Sequence, residues 1–190
     1  PPRSTPCRTL FPYTTLFLSH WKSRYGGREE TERFRVYSAR VLKGYTDSIL
    51  GRNAHANILA MGDFNDEPAN VSMKKTLEAR YPKKIKMNGL YNLLYPKDKQ
   101  GKGTYNYKYE WFMLDNLIVS GGLMKGRKGY RIKPRQLKIF DANWVMYDNP
   151  KAGMLVPNRT YGGPNYFGGY SDHLAIWGTF RWKGRRAKDE

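Results

Sequence analysis

The sequence predicts a mixed α/β fold, and three features lead to that prediction. A helical repeat of apolar residues begins near Glu29. The run Ile58–Met61 is short, apolar and bounded by turn residues, as expected of a buried strand. The second half of the chain is rich in aromatic and β-branched residues, which favour strands. One helix between early strands, followed by several more strands, indicates a mixed sheet with helices packed on it.

The first elements are a strand and a long helix. Thr14–Leu18 is β-branched and apolar, which favours a strand. The helix that begins near Glu29 is predicted to end at Gly51 and Asn53. Residues at helical spacing define its predicted buried face, namely Phe34, Tyr37, Val41, Leu42, Tyr45 and Ile49.

The remaining elements follow the strand Ile58–Met61. A short helix is predicted over Ser72–Tyr81, with Ser72 or Asn70 as its N-cap. Strands are predicted at Thr104–Met113, at Leu114–Ser120, more weakly at Ile132–Phe140, where Pro134 interrupts, and at His173–Trp182. The segment Asn143–Tyr170, rich in Gly, Pro and Asn, is predicted to be a loop.

Composition limits the class of protein. The chain has 190 residues and 15% aromatics, enough for one domain with a core. Cys7 is the only cysteine, which excludes a disulfide framework and a cysteine-based zinc site. No apolar run approaches the length of a membrane span. The net charge of +18 suggests a polyanionic partner such as nucleic acid, and a solvated basic surface is the alternative.

The two ends of the chain differ from the middle. Residues 1–18 form an atypical leader without the pattern of a signal peptide, and TLFPYTTLF within it is similar to translated adapter DNA, so the leader is suspected to be spurious. Residues 19–182 are expected to form the domain, and 183–190 a frayed basic tail. The compartment stays open.

Acids and histidines gather at predicted strand ends. Asp63 and Asn65 follow one strand, a second strand leads to Asp115, and the last strand begins with Asp172 and His173. Such residues can converge on one rim of a sheet, where ligands of α/β proteins commonly bind. Each has an ordinary alternative: GDFNDEP can be a simple turn, the histidines can be structural, and Asp115 can cap a strand. A calcium loop is excluded because its sixth position would be Pro68 rather than Gly.

Together these motifs resemble a known family. GDFNDEP, LDNLIVS and GYSDHLAIW, preceded by SHWKSRYGG, are similar to the endonuclease/exonuclease/phosphatase family from about Ser19 to Phe180. The resemblance implies a DNase-I-like four-layer α/β/β/α sandwich. It also implies a metal-dependent hydrolase that cleaves phosphodiester bonds, with nucleic acid as the expected substrate. A phosphatase of small phosphorylated substrates or phospholipids on the same fold is the alternative.

The resemblance also implies roles for the motif residues. His173 would act as general base or phosphate contact, with its imidazole oriented by Asp115. Asp63 would position or deprotonate the attacking water. Asn65 would hold a non-bridging oxygen of the substrate, and His20 would contact the scissile phosphate.

Metal and substrate contacts complete the expected site. Asp172 and Asp63 would bind Mg²⁺ or Mn²⁺, which prefer hard oxygen ligands. Arg24 is a candidate for gripping phosphate, with a solvated loop arginine as the alternative. Tyr105 and Trp111 could stack on a base or a sugar, although the core is the commoner place for such aromatics.

The chain also departs from the family pattern. The family's N-terminal half supplies an asparagine and a glutamate for the principal metal, and nothing here corresponds to it, so the sequence is expected to be a C-terminal part with that half missing. Lys22 and Ala175 stand where many relatives have proline. An inactive fragment, or a binding module using the basic stripe Gly121–Phe140, is therefore the alternative of another class. A monomer is expected, and export is suggested by relatives alone.

Overall fold

The structure, a computed structural model, describes residues 14–126, 129–151 and 153–183. The strands of the first half are β1 Thr14–His20, β2 Asn57–Asp63, β3 Ala79–Arg80, β4 Leu90–Asn92, β5 Tyr105–Tyr107, β6 Glu110–Phe112 and β7 Asp115–Ser120. Those of the second half are β8 Gly129–Arg131, β9 Leu137–Ile139, β10 Met146–Asn149, β11 Met154–Pro157, β12 Tyr161–Gly162, β13 Asn165–Tyr166, β14 Ile176–Gly178 and β15 Arg181–Lys183. The α-helices are α1 Arg28–Arg52, α2 Tyr95–Asp98 and α3 Gly121–Lys125. Single helical turns are formed by Ser72–Thr76, Pro134–Gln136 and Asn143–Val145.

A five-stranded mixed sheet forms the centre of the molecule, in the order β1-β2-β7-β4-β3. β1 and β2 are parallel, β7 is antiparallel to both of its neighbours β2 and β4, and β3 is parallel to β4. The register aligns His20 with Asp63, and Asp63 with Asp115. The predicted mixed α/β class is therefore confirmed.

Both faces of the central sheet are buried, which explains why β2 is a continuous apolar run. Ile58 and Ala60 face the cluster that contains Leu42 and Leu50 of α1. Leu59 faces the opposite cluster, where residues of β7, α3 and β9 meet. Each fully buried leucine or isoleucine contributes about 1.5–3 kcal/mol relative to leaving it in water. These two clusters fix β2 rigidly between two layers.

The long helix is present, but its predicted buried face is wrong. α1 buries Thr31, Arg35, Ala39, Leu42, Thr46 and Leu50. Of the predicted face, only Leu42 is among them, and Phe34, Tyr37, Val41 and Tyr45 are exposed. The helix is rotated because a buried ion pair of Arg35, described below, draws a polar stripe toward the sheet. The apolar stripe instead lies beside β1, which is an outer strand of the central sheet among the described residues, and Leu18 there is 74% exposed.

Two other predicted elements are wrong in kind. Ser72–Tyr81 is not a helix: after one turn, Glu78 adopts a positive φ of 56° and Ala79–Arg80 joins the sheet as β3. Thr104–Met113 is not one strand but the hairpin β5–β6. Its turn residues Lys108 and Tyr109 both have positive φ, the conformation of a tight hairpin turn, without the Asn or Gly that usually signals it.

The C-terminal segments form short strand pairs. The predicted loop Asn143–Tyr170 contains the hairpins β10–β11 and β12–β13. The predicted strand His173–Trp182 is divided, since β14 pairs with β9 and β15 pairs with β8. The predicted strand at Thr14–Leu18 is present as part of β1. Residues 1–13 of the predicted leader and 184–190 of the predicted tail lie outside the described residues. None of the helices in the described ranges is both long and apolar enough to cross a membrane.

Candidate active site

The base of the site is a row of three side chains on adjacent strands. His20 ends β1, Asp63 ends β2 and Asp115 begins β7, so the sheet register places them side by side. The Nε2 atom of His20 lies 3.6 Å from Oδ2 of Asp63. Gly62 permits this close approach, because a Cβ atom there would lie 2.0 Å from the carbonyl oxygen of Ser19.

His173 joins this row from the C-terminal part of the chain. Its Nδ1 atom lies 2.7 Å from Oδ2 of Asp115. Thr104 positions both residues. Its hydroxyl accepts a hydrogen bond from the backbone N–H of Asp115 at 3.1 Å, and its carbonyl accepts one from the N–H of Leu174 at 2.7 Å. The imidazole is thus held by a carboxylate on one nitrogen, and its Nε2 remains for a ligand.

Asn65 is hydrogen-bonded to Asp63 through both its side chain and its backbone. It adopts a positive φ of 50°, a conformation that asparagine tolerates better than most residues. Its side-chain amide donates to Oδ2 of Asp63 at 2.9 Å and to the carbonyl of Trp21 at 3.1 Å. Its backbone N–H donates to Oδ1 of Asp63 at 2.8 Å. Both oxygens of Asp63 are therefore oriented by one neighbour.

Arg24 supports the same loop from outside. Its Nε donates to the carbonyl of Asn65 at 2.8 Å, and Nη2 donates to Asn70 at 2.9 Å and to Glu67 at 3.3 Å. Arg24 borders the cavity, but these contacts are all to protein groups. Arg24 is therefore not a solvated loop arginine, and its predicted contact with phosphate stays a prediction.

A buried ion pair anchors the loop after Asn65. Arg35 Nε lies 2.8 Å from Oδ1 of Asp66, and their side chains are 0% and 1% exposed. The hydroxyl of Ser72 donates to the other carboxylate oxygen of Asp66 at 2.6 Å. Asn116, also buried, donates to the carbonyl of Asp66 at 3.0 Å. The loop that carries Asp63 and Asn65 is therefore tied to α1 and to β7.

The electrostatics of the row follow from burial and close charges. Burial raises the pKa of Asp63 above its ordinary value, the charge of Asp115 adds to this, and the hydrogen bond from Asn65 opposes it. Burial alone would lower the pKa of His173, but the hydrogen bond and charge of Asp115 outweigh it, and the net pKa is raised. The site therefore favours a protonated His173 imidazole, close to the Asp63 carboxyl group, whose pKa is also raised.

These residues open onto one cavity of about 830 Å³. His20, Asp63, Asn65 and His173 line it, and Asp172 lies at its border as an exposed side chain. Aromatic residues of β5 and β6 form another wall, in which the ring of Tyr105 lies 4.8 Å from that of His173. Tyr105 is partly exposed here rather than buried in the core.

The donor set fits a hard divalent cation. Asp63, Asp115 and His173 each offer a ligand atom, and these atoms lie within 4.8 Å of one another. Carboxylate oxygens with water suit Mg²⁺ or Mn²⁺. Because Nδ1 of His173 is taken up by Asp115, the two carboxylates are the stronger donors. Asp172 lies outside this cluster, and its predicted role as a metal ligand stays a prediction.

The structure brings the sequence-predicted residues together at one rim, with Asp115 behind His173. Sequence reasoning missed Arg35, Thr104 and Asn116, which hold the site without facing the cavity. Asn116 follows Asp115 within the motif LDNLIVS, but neither its burial nor its hydrogen bond to the carbonyl of Asp66 leaves a sequence signal. Nothing in a helical repeat marks Arg35 as a buried residue.

Residues 13–181 match the model of a family described as the endonuclease/exonuclease/phosphatase family. No curated protein and no solved structure matches the chain.

Proposed function

The chain belongs to the endonuclease/exonuclease/phosphatase family, and we propose that it is a metal-dependent phosphoesterase that hydrolyses phosphodiester bonds of nucleic acid. Members of this family are hydrolases that act on phosphate esters. The observation that carries the proposal is the contact of 2.7 Å between His173 and Asp115, directly beside Asp63 in an open cavity. A carboxylate-oriented histidine next to a second carboxylate is the arrangement that general acid–base chemistry requires.

In the proposed reaction, a water molecule attacks phosphorus and the bond to the leaving oxygen breaks. Asp63 accepts the proton of the attacking water, and its raised pKa makes it a stronger base than an ordinary carboxylate. His173, with Nδ1–H donating to Asp115, directs its Nε2–H at a phosphoryl oxygen and opposes the charge that develops there. His20 contributes a second contact to the phosphate. The leaving oxygen takes up a proton from solvent water and departs as an alcohol.

Asn65 and Arg24 have positioning roles in this scheme. Asn65 orients both carboxylate oxygens of Asp63, and Arg24 holds the backbone of Asn65. A misplacement of the attacking group by about 1 Å can cost about 100-fold in rate. A divalent cation, Mg²⁺ or Mn²⁺, held by Asp63 and Asp115 with Asp172 as a further ligand, would neutralise charge on the phosphoryl oxygens.

Nucleic acid is the proposed substrate because of charge. The chain carries 34 Lys and Arg against 16 Asp and Glu, and a polyanion gains from such a surface. A small phosphorylated substrate is the second candidate, and one observation favours it: a cavity of about 830 Å³ lies in the range that encloses small ligands.

The proposed fold is the DNase-I-like sandwich. It is supported by the layer of short strand pairs, including β9–β14, that covers the sheet face opposite α1.

A substrate panel tests the proposal. Purified protein is assayed with bis(4-nitrophenyl) phosphate, supercoiled plasmid, a mononucleotide, an inositol phosphate and a phosphoinositide, each with MgCl₂ and with EDTA. Plasmid nicking and diester hydrolysis that require the metal are expected. Cleavage of monoesters alone would transfer the assignment to the phosphatase alternative. No turnover of any substrate would favour the non-catalytic binding module.

A further inference from the structure

We propose that a second cavity, here named the basic groove, binds phosphate groups of a single nucleic-acid strand outside the bond that is cleaved. The basic groove is lined by Lys97, Lys102, Trp111, Arg135, Lys138 and Asp141, among others. This inference rests on the proposed function, because it concerns the same substrate. It assigns a binding site that the family resemblance and the catalytic row do not involve.

The charge of the basic groove is strongly one-sided. Four cationic side chains from the α2 region and from the segment around β9 converge on a cavity of about 450 Å³. Asp141 is the single acid among the described residues that line it. In the described part of the chain, none of the four cations forms an ion pair. Their charge is therefore available to an anion.

The exposure of these cations suits a polymer rather than a small buried ligand. Lys102, Arg135 and Lys138 are exposed, and Lys97 is half-buried. Lys138 Nζ lies 5.4 Å from the centre of the Trp177 ring, which holds its ammonium group near the surface. Cations at an open surface track a phosphate backbone and lose their effect as salt rises.

An indole completes the basic groove. Trp111 is partly exposed and lines the cavity beside Lys97 and Lys138. Cations along a groove, together with an aromatic face, form the combination that binds single strands, because bases stack on the ring while the backbone follows the charges. A small inorganic anion cannot stack on the indole ring, whereas a nucleic-acid base can.

The position of the basic groove relates it to the catalytic cavity. Trp111 lines the groove, and its neighbour Phe112 lines the catalytic cavity, since successive side chains of β6 point to opposite sides. In the same way, Leu174 lines the groove and His173 the cavity. The two sites are therefore separated by one hairpin, and a strand that passes over it can occupy both.

The test is a salt titration of binding. The probe is a 5′-fluorescein-labelled dT₁₂ oligonucleotide, measured by anisotropy in EDTA between 50 and 200 mM KCl. The variant Arg135→Gln/Lys138→Gln removes two cations of the groove. Lys83→Gln/Lys84→Gln, two exposed lysines between β3 and β4, removes the same charge elsewhere.

The expected changes follow from counterion release. Losing two phosphate contacts reduces the slope of log K against log[salt] by about 1.4, since each contact on a single strand contributes about 0.7. Affinity then falls about tenfold at 200 mM KCl and more at 50 mM. Trp111→Leu is expected to weaken binding by about tenfold without changing the slope, because it removes stacking and no charge.

Two outcomes would overturn the inference, and a hydrolysis assay separates it from the proposed function. Equal slopes in the groove variant and the lysine control would overturn it. Loss of pyrophosphate binding with unchanged dT₁₂ binding would also overturn it, because the groove would then be a site for small anions. Hydrolysis of bis(4-nitrophenyl) phosphate, which is too small to reach the groove, should be unchanged in the groove variant. If the wild-type protein does not hydrolyse that ester, the proposed function fails while the EDTA titration still decides the groove.

Discussion

Replacing Arg35 with methionine should destabilise the protein by about 3 kcal/mol, although Arg35 does not touch the cavity. Arg35 and Asp66 are buried with Nε and Oδ1 2.8 Å apart, and removing one partner of such a pair costs about 3–5 kcal/mol. The lower end applies because Asp66 keeps the hydroxyl of Ser72 at 2.6 Å and Nη2 of Arg24 at 3.5 Å. With a total stability of about 5–15 kcal/mol, the variant stays folded at low temperature.

Urea unfolding followed by circular dichroism measures this loss. Lys43→Met is the matched control, since Lys43 Nζ lies even closer to Oδ2 of Asp47, at 2.6 Å, but on the exposed face of α1. Such a surface pair contributes only about 0.3–0.5 kcal/mol. The double variant Arg35→Met/Asp66→Asn should recover much of the loss, because no buried charge is then left unpaired.

A loss below about 1 kcal/mol in Arg35→Met would refute the reasoning, since it would place Arg35 in contact with water. The same result would be incompatible with a rotated α1 that buries its polar stripe. A double variant less stable than both single variants would contradict the view that the unpaired charge causes the loss.

Three further predictions concern stability and surface. Burial, and then the charge of Glu67, raise the pKa of Asp98 to about 6, so folding favours its protonated form and stability is lost as pH rises from about 4 through 6. Asp98→Asn should therefore stabilise the protein by about 1 kcal/mol at pH 7.5, after solvent screening, and should have no such effect at pH 4. Urea titrations at both pH values would show this difference. Gly62→Ala should destabilise the protein by at least about 2 kcal/mol, because Gly62 has a φ of 137° and lies against the carbonyl of Ser19. Gly44→Ala, in open space on α1, should instead stabilise it by up to about 1 kcal/mol. Equal effects of the two variants in thermal unfolding would contradict this prediction. Val41→Lys, in the exposed apolar stripe of α1, should reduce concentration-dependent light scattering without lowering Tm, and unchanged scattering would mean that this stripe does not drive association.

Short motifs allowed much of the site to be predicted from the sequence. Asp63 ends β2 and Asp115 begins β7, and such strand ends can be predicted from apolar runs that stop at turn residues. His173 lies three residues before β14, in an isolated bridge with Tyr105. Asp63 and Asp115 converge because β2 and β7 are neighbours in the central sheet, whereas His173 reaches them from outside that sheet through its bridge to Tyr105. The contact of Asp115 with His173 agrees with the role that the resemblance implies.

The rotation of α1 could not be predicted, because periodicity assumes that apolar residues face inward. Here Arg35 finds a buried carboxylate, and that partner is 31 residues away in the sequence, counted from Arg35 to Asp66. Apolar residues such as Tyr37 then remain at the surface. The spacing of apolar residues along a helix carries no information about an ion pair with a residue that is distant in the sequence.

Short strands and hairpins were missed for a related reason. The turn at Lys108 and Tyr109 uses residues that rarely adopt positive φ, so no local signal marks it. β3 consists of two residues that are strand-like only because β4 lies beside them. Tertiary pairing, rather than local propensity, determines such elements.

The most direct test of the site is the turnover of His173→Ala with a phosphodiester substrate under saturating MgCl₂. His55→Ala serves as the control, because His55 is exposed on a loop outside the cavity. We predict that kcat falls by about 10²–10³ in His173→Ala, the range for loss of one donor that stabilises developing charge, and stays at the wild-type value in His55→Ala. Wild-type turnover in a correctly folded His173→Ala protein would contradict the assignment of this row of residues as the catalytic centre.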